Sequence, residues 1–173
     1  WASSRTPTRP LTAEGTRLGC PHDCGLCGQH RQRTCCVLLE ITHRCNLCCP
    51  VCFAEAEAEG TDPSLDTIAG WYDILRRQAG QANIQLSGGE PTVRDDLPDI
   101  IRLGREKGFT YFQLNTNGLR LAREPGYAQK LKQAGLNCVF LQFDGVTNGP
   151  YQALRGAPLL EEKKRAIQSC AAA

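Results

Sequence analysis

Short apolar runs alternate with amphipathic stretches along most of this 173-residue chain. The apolar runs cover residues 37–41, 84–87, 111–115 and 138–143, and the last three begin about 27 residues apart. That interval suits one strand, one helix and two loops, which is typical of βα units around a parallel sheet. The sequence therefore predicts an α/β fold with four βα units. Four strands cannot close a barrel, so we expect an open sheet or a partial barrel.

Apolar residues at helical spacing predict one helix after each strand. The first has an N-cap at Asp62 and a first-turn proline at Pro63, and it ends near Gly80. The other helices are expected at about 97–108, 125–134 and 158–170. The loops rich in polar and cysteine residues all follow the carboxyl ends of strands, where barrels and open α/β sheets place their chemistry. The organisation predicts one site at that edge.

Cysteine usage adds a second constraint. The chain holds 11 cysteines, and nine of them fall between positions 20 and 52. The start of the sequence has no apolar stretch of the kind a secretion signal needs, so metal or iron–sulfur binding is favoured over disulfides. Between positions 20 and 35 Leu26 is the main aliphatic residue, so a metal would have to replace a hydrophobic core. We expect an N-terminal arm and metal-binding segment over 1–36 and the βα units over 37–173.

The loop after the first strand reads Cys45-Asn46-Leu47-Cys48-Cys49-Pro50-Val51-Cys52. Its Cys-x3-Cys-x2-Cys pattern supplies three thiolates, enough for three irons of a [4Fe-4S] cubane, and leaves the fourth iron open. Cys48 permits another interpretation, in which the pairs Cys45/Cys48 and Cys49/Cys52 are two zinc knuckles. Structural zinc pairs are normally separated by a returning loop, which is absent here, so the cluster is favoured.

The second strand ends in Ser87-Gly88-Gly89-Glu90-Pro91-Thr92. Two glycines let a backbone approach a ligand closely, and Glu90 adds a carboxylate acceptor. This combination suits a ligand that carries an ammonium group. Taken alone, the segment is also an ordinary strand-to-helix turn.

Together these motifs resemble the radical S-adenosylmethionine superfamily over residues 37–145. The resemblance implies a partial (β/α) barrel with four of the six βα units of that family's core. It also implies a [4Fe-4S] cluster, with S-adenosylmethionine chelating the open iron through its amino and carboxylate groups. One electron from the cluster would then cleave this cofactor to a 5′-deoxyadenosyl radical for hydrogen abstraction. Carried over position by position, the cluster ligands are Cys45, Cys49 and Cys52, the amino group lies at Gly88, Gly89, Glu90 and Pro91, and the adenine meets the backbone near Val51.

Two later strand ends extend the resemblance. Asn115 and Asn117, in Asn115-Thr116-Asn117-Gly118, resemble the family's third cofactor-contact region. Asp144, after the fourth strand, stands where a ribose-binding polar residue is common. Asn-Gly and Asp-Gly are also ordinary turn sequences, so the turn interpretation remains open for both. The sequence assigns no catalytic residue beyond these contacts.

The N-terminal segment narrows the resemblance further. Cys20, Cys24 and Cys27, followed by Cys35, resemble the archaeal tetraether lipid synthase group and its bacterial relatives, which couple lipid hydrocarbon chains. The resemblance implies a second iron site on these four cysteines. Four thiolates fit a rubredoxin-like mononuclear iron or a second [4Fe-4S] cluster, and zinc is the alternative. Whether Cys36 or Cys48 is a ligand stays open.

These patterns predict an enzyme that abstracts hydrogen from an unactivated carbon, with a lipid chain as one substrate. The alternatives are a peptide-modifying radical enzyme and an iron–sulfur electron-transfer module without catalysis. A reductant such as ferredoxin or flavodoxin is expected, with a small-molecule or lipid substrate and a peripheral membrane contact made only through that substrate.

Charge and hydropathy complete these expectations. The net charge of +2 is spread without blocks, which predicts no nucleic-acid partner. With no apolar run long enough to span a membrane and no signal peptide, we expect a cytoplasmic protein. The absence of methionine, with Trp1 at one end and Ala171–Ala173 at the other, predicts a fragment with an incomplete core.

Overall fold

The computed structural model of the chain describes residues 34–173. Strands and helices alternate along this part of the chain, and the four strands form one parallel sheet in the order β1-β2-β3-β4. The predicted α/β fold is confirmed. The strands are β1 (Cys36–Thr42), β2 (Asn83–Gly88), β3 (Phe112–Thr116) and β4 (Cys138–Leu141). The helices are α1 (Leu65–Ala79), α2 (Leu97–Glu106), α3 (Leu119–Arg123), α4 (Tyr127–Ala134), α5 (Asn148–Arg155) and α6 (Leu160–Ala172), with a 3-10 turn at Pro91–Val93.

The register of the sheet builds the core in layers. Leu39 pairs with Leu86, Leu86 with Leu114, and Leu114 with Val139, so one row of aliphatic side chains crosses all four strands. Leu39, Leu86 and Leu114 are buried, and Val139 packs beside them against the helices. Because side chains alternate along a strand, the residues between them lie on the opposite face.

That opposite face, the inner face of the sheet, is less covered. Its first row includes Leu38, Gln85 and Gln113. The second row begins with Glu40 and Ser87. Asn115 and Phe140 are paired in register on β3 and β4 and continue the second row. Leu38 is 53% exposed and Phe140 is 56% exposed, so apolar and polar side chains both face open space here.

Tyr72 of α1 lies at the centre of the helix-covered core. Its ring packs 5.5 Å from that of Phe109 and 6.3 Å from that of Phe112, and its hydroxyl donates to the Ile100 carbonyl at 3.3 Å. Burial raises the pKa of the Tyr72 hydroxyl. Gly104 of α2 lies against the same rings, and an added Cβ there would collide with the Phe112 ring and approach Tyr72 Cζ to 2.9 Å. A glycine is therefore needed where α2 crosses this aromatic cluster.

Two predicted helix features differ from the structure. Helix α1 is capped by Ser64, whose hydroxyl accepts the Thr67 N–H at 3.1 Å, and not by Asp62. The Asp62 carboxylate instead accepts hydrogen bonds from Thr42 and Arg44, across the start of the first loop. The short helices α3 and α5 were not predicted, since each lies inside a segment that the sequence pattern assigned to a loop. No helix in residues 34–173 is long and apolar enough to cross a membrane.

We predict opposite effects for two glycine-to-alanine changes in helices. Gly104→Ala should lower the free energy of unfolding by about 1–3 kcal/mol, because the methyl group overpacks the Phe112 ring. Gly70→Ala, in α1 with nothing within 4 Å of the added Cβ, should raise it by up to about 1 kcal/mol through helix propensity. Urea unfolding measures both. Equal stability of the two variants would contradict the close packing at Gly104.

Candidate active site

The cysteine-containing loop, residues 45–52, begins directly after β1, and its base is fixed by a parallel bridge. Cys45 N donates to the Glu57 carbonyl at 2.7 Å, and Glu57 N donates to the His43 carbonyl at 3.1 Å. Arg44 is held at the same point by Asp62, with Nε 3.1 Å from Oδ2. Burial by itself would raise the pKa of the Asp62 carboxyl, but the hydrogen bonds from Arg44 and Thr42 and the charges of Arg44 and Arg94 together lower it. The start of this loop is therefore fixed by backbone hydrogen bonds and by an ion pair.

The two glycines at the end of β2 allow this turn to pack closely on the backbone that follows β1. Gly88 has a φ of 121°, and a Cβ on it would collide with the Thr42 carbonyl; a Cβ on Gly89 would collide with the Arg44 carbonyl. Gly89 N and Glu90 N donate to these carbonyls, each at 2.9 Å. The two glycines were predicted to let a ligand approach the backbone, and in the structure they allow the β2 turn to pack on the β1 loop. That packing brings Glu90 beside the cysteines.

Glu90 is 1% exposed and is held by four donors. Its Oε1 accepts from Thr92 N at 3.0 Å, from Thr92 Oγ1 at 2.6 Å and from Thr116 Oγ1 at 2.6 Å. Its Oε2 accepts from Asn117 N at 2.6 Å. A carboxylate oxygen accepts two hydrogen bonds readily, so Oε2 keeps capacity for one more donor. Glu90 therefore fixes the end of β3 and still presents an acceptor.

A cavity of about 320 Å³ lies between these segments. It joins the three strand ends that the sequence predicted: the cysteines of the first, the Gly-Gly-Glu turn of the second and the asparagines of the third. Of the predicted site residues, those lining it are Cys45, Cys49, Cys52, Gly88, Gly89, Glu90, Asn115 and Asn117. Lining residues that the sequence argument missed include Leu47, Phe53, Thr116, Phe140, Gln142 and Arg155.

The three cysteines that line the cavity supply the donors that an iron–sulfur cluster requires. In a cubane each thiolate binds a different iron, so three thiolates around a shared cavity are the arrangement it needs. Burial raises the pKa of the Cys45 thiol, so metal binding there must displace a proton. The donor set therefore fits a three-cysteine iron–sulfur cluster.

Arg155 of α5 brings a positive charge to the same cavity. Its Nε and Nη2 donate to the two oxygens of Asp144 at 2.9 and 2.6 Å, and these bonds lower the pKa of Asp144. The guanidinium also interacts with the Cys49 thiol, and with its amide turned, Gln142 accepts from Arg155 at 2.8 Å. A guanidinium beside the cysteines can bind a ligand carboxylate. Since α5 was not predicted, no sequence signal placed Arg155 here.

The remaining predicted residues lie beside the cavity or outside the described residues. Asp144 binds Arg155 instead of lining the cavity, Val51 is 61% exposed, and Pro91 is buried at the start of the 3-10 turn. Cys48 is exposed and does not line the cavity. Cys35 lies just before β1, with its carbonyl accepting from Asn83 N at 2.8 Å. Cys20, Cys24 and Cys27 fall outside residues 34–173.

Comparison with known proteins decides the family. The profile of the Radical SAM superfamily matches residues 39–173, which includes every lining residue of the cavity. The chain belongs to the radical SAM superfamily. Membership implies an enzyme with a [4Fe-4S] cluster and S-adenosylmethionine, as the resemblance of the two motifs indicated. The predicted partial barrel agrees with the four parallel strands.

The similar proteins carry names that describe different reactions. The chain is 46% identical over 163 residues to the 7,8-dihydro-6-hydroxymethylpterin dimethyltransferase of Methanocaldococcus jannaschii, covering 92% of the chain and 32% of the relative. It is 37% identical over 138 residues to the Fe-coproporphyrin III synthase of Methanosarcina barkeri, covering 78% and 33%. It is 36% identical over 139 residues to the PqqA peptide cyclase of Streptomyces rochei, covering 79% and 37%. None of these three names is that of a tetraether lipid synthase, the group to which the sequence argument gave the nearest resemblance.

A solved structure supports the fold. Tagged anSMEcpe with bound S-adenosylmethionine superposes with a TM-score of 0.63 at 20% identity, over 79% of this chain and 40% of that one. The chain spans about a third of the length of the curated relatives it matches.

Asp144→Asn should remove the charge that pairs with Arg155, and the resulting loss of folding stability should depend on pH. Because Arg155 lowers the folded-state pKa of Asp144, the pair stabilises the protein above the unfolded-state pKa, and this contribution is lost as pH falls through the lower folded value. At pH 7 we expect the variant to lose about 1–3 kcal/mol of unfolding free energy. The difference from the unsubstituted chain should shrink below about pH 4. Chemical denaturation at pH 7 and pH 3 checks this, and a difference that grew at low pH would contradict the pairing.

Proposed function

We propose that the chain forms the cofactor-binding half of an enzyme that cleaves S-adenosylmethionine reductively and uses the product for hydrogen abstraction. The observation that carries the proposal is the cavity shared by three cysteines, the buried Glu90 and Arg155. When bound, the cluster and cofactor supply a 5′-deoxyadenosyl radical, and the protein supplies orientation and exclusion of water. An electron carrier without catalysis would need neither an open iron nor a neighbouring site of opposite charges.

The charges of the cavity suit the amino acid end of the cofactor. Glu90 Oε2 has one protein donor and can accept a second hydrogen bond from an ammonium group. Arg155 lies across the same cavity and can meet a carboxylate. Asn115 lines the cavity, and its amide donates to Ser87 Oγ at 3.2 Å, which leaves its Oδ1 to accept from a ligand. We assign Cys45, Cys49 and Cys52 to the cluster because all three line the same cavity.

We propose a second iron site on Cys20, Cys24, Cys27 and Cys35, as one iron or a second cluster, within a segment that ends at residue 36. The support is the cysteine spacing and the lack of aliphatic residues around it. We also propose that a ferredoxin or flavodoxin supplies the electron.

The cluster assignment is tested by iron content and electron paramagnetic resonance. Anaerobically reconstituted protein should hold more than four irons per chain, and S-adenosylmethionine should change the spectrum of the reduced cluster. Replacing Cys45, Cys49 and Cys52 with Ala should remove the cubane signal and retain the N-terminal iron. The matched control replaces Cys138 and Cys170, which lie away from this cavity, and should keep both signals. A spectrum unchanged at saturating cofactor would exclude chelation and favour the electron-transfer alternative.

Two substrates have specific support. The N-terminal cysteine motif favours a lipid hydrocarbon chain, and the exposed Leu38 and Phe140 give the inner face of the sheet apolar surface beside the cavity. The second candidate is a pterin, favoured by 46% identity to a protein with that name. Glu40, Gln85 and Gln113 lie on the inner face and can bond a nitrogen heterocycle. The two candidates need the same radical. They differ in the substrate group that the inner face of the sheet would hold beside it, an apolar chain or a nitrogen heterocycle.

Deuterium transfer distinguishes the two substrates. The longest reading frame that contains this chain should be incubated with reductant, S-adenosylmethionine and either a glycerolipid with perdeuterated chains or deuterated 7,8-dihydro-6-hydroxymethylpterin. Deuterium in 5′-deoxyadenosine from the lipid alone is the result expected for carbon–carbon coupling of chains. Deuterium from the pterin alone supports the second candidate. Deuterium from neither contradicts both and favours the peptide-modifying alternative.

A further inference from the structure

A lysine without solvent exposure lies behind the cavity. Lys163 of α6 is 0% exposed, and its Nζ donates to the Asn117 carbonyl at 2.5 Å. This carbonyl is its single hydrogen-bond acceptor among residues 34–173, and the ring centroid of Tyr151 lies 5.9 Å from Nζ. Lys163 is not among the residues that line the cavity. Burying an ammonium group is costly, so its position calls for a role beyond packing.

Asn117 connects this lysine to the cysteine-containing loop. Its N–H donates to the Glu90 carboxylate at 2.6 Å and its C=O accepts from Lys163, so charged groups hold the two backbone ends of one residue. Its side chain is then fixed: Oδ1 accepts from Leu119 N at 3.0 Å, and Nδ2 donates to Asn46 Oδ1 at 2.8 Å. Asn46 is the neighbour of Cys45. A continuous chain of contacts therefore runs from α6 to the first cysteine of the loop.

We propose that Lys163 is a positioning residue for the cysteine-containing loop, acting through Asn117 and Asn46. The inference rests on the proposed function in that the positioned cysteines are those assigned to the cluster. Glu90 fixes Asn117 from one side and Lys163 from the other, so the amide that meets Asn46 has one orientation. Loss of the ammonium group releases the Asn117 carbonyl and lets this amide turn away from Asn46. The geometry of Cys45 then changes although no cavity-lining residue has been replaced.

The proposal predicts that Lys163→Met changes the geometry of the cysteine-containing loop without a matching loss of folding stability. Met removes a costly buried charge and also leaves the Asn117 carbonyl without its donor, so we expect these opposing effects to keep the melting temperature close to that of the unsubstituted protein. In reconstituted protein, the rate at which a chelator removes the cubane iron should rise about three- to tenfold. Asn46→Ala should raise that rate by a similar factor. The double variant should match the single variants, because both changes break the same chain of contacts.

Lys164→Met is the matched control. Lys164 is the next residue on α6, is mostly exposed and pairs with Glu161, so its loss should leave the chelator rate unchanged. If the chelator rate of the double variant rises by the product of the two single-variant factors, the proposal is overturned. A chelator rate that rises only in step with a falling melting temperature would also overturn it, since packing alone would explain that result.

Alkylation of the metal-free protein keeps this test independent of the cluster. Peptide mass spectrometry should show faster iodoacetamide labelling of Cys45 in Lys163→Met and in Asn46→Ala. Cys170 lies on the same helix as Lys163 and is half-buried, so unchanged labelling there shows that α6 itself is intact. Faster labelling of Cys170 with unchanged Cys45 would overturn the proposal. If the unsubstituted protein holds no cubane, the proposed function fails, and the Cys45 labelling still decides the role of Lys163.

Discussion

The buried Glu90 carboxylate is the interaction on which the candidate site depends. Its four donors come from the turn after β2 and from the end of β3, so one side chain joins two strand ends that are 26 or more residues apart in sequence. A buried carboxylate is costly unless it is hydrogen-bonded, and both oxygens of this one accept from protein donors. Its loss would leave Thr116 and the Asn117 N–H without their acceptor. The edge of the sheet that forms the cavity would then lose its defined shape.

The close approach of β2 to the β1 loop is the second requirement. Gly88 and Gly89 lack the side chains that would collide with the carbonyls of Thr42 and Arg44. Because of this contact, the motif that carries Glu90 and the motif that carries the cysteines form one site. The glycines in such a motif thus have a structural role that precedes any ligand contact. Either motif alone would be an ordinary loop.

Family membership leaves the choice of substrate open. The relatives carry the names of a pterin dimethyltransferase, an Fe-coproporphyrin III synthase and a peptide cyclase, and all three match this region. The inner face of the sheet meets the cavity at Phe140, and it mixes the apolar Leu38 and Phe140 with Glu40 and the glutamines of β2 and β3. A surface of mixed character can serve more than one substrate class.

The sequence by itself determined the α/β class, the four strands and most of the residues that meet at the cavity, including Cys45, Glu90 and Asn115. It could do so because strand alternation, helical period and cysteine spacing are local signals, and because parallel strands bring their carboxyl ends to one edge. The tertiary structure alone decided the partners of each polar group. Asp62 binds Arg44 and not the helix end, Arg155 reaches the cavity from an unpredicted helix, and Lys163 holds Asn117 from 46 residues away. Such contacts depend on packing between segments that are distant in sequence. No periodic pattern in a single sequence indicates them.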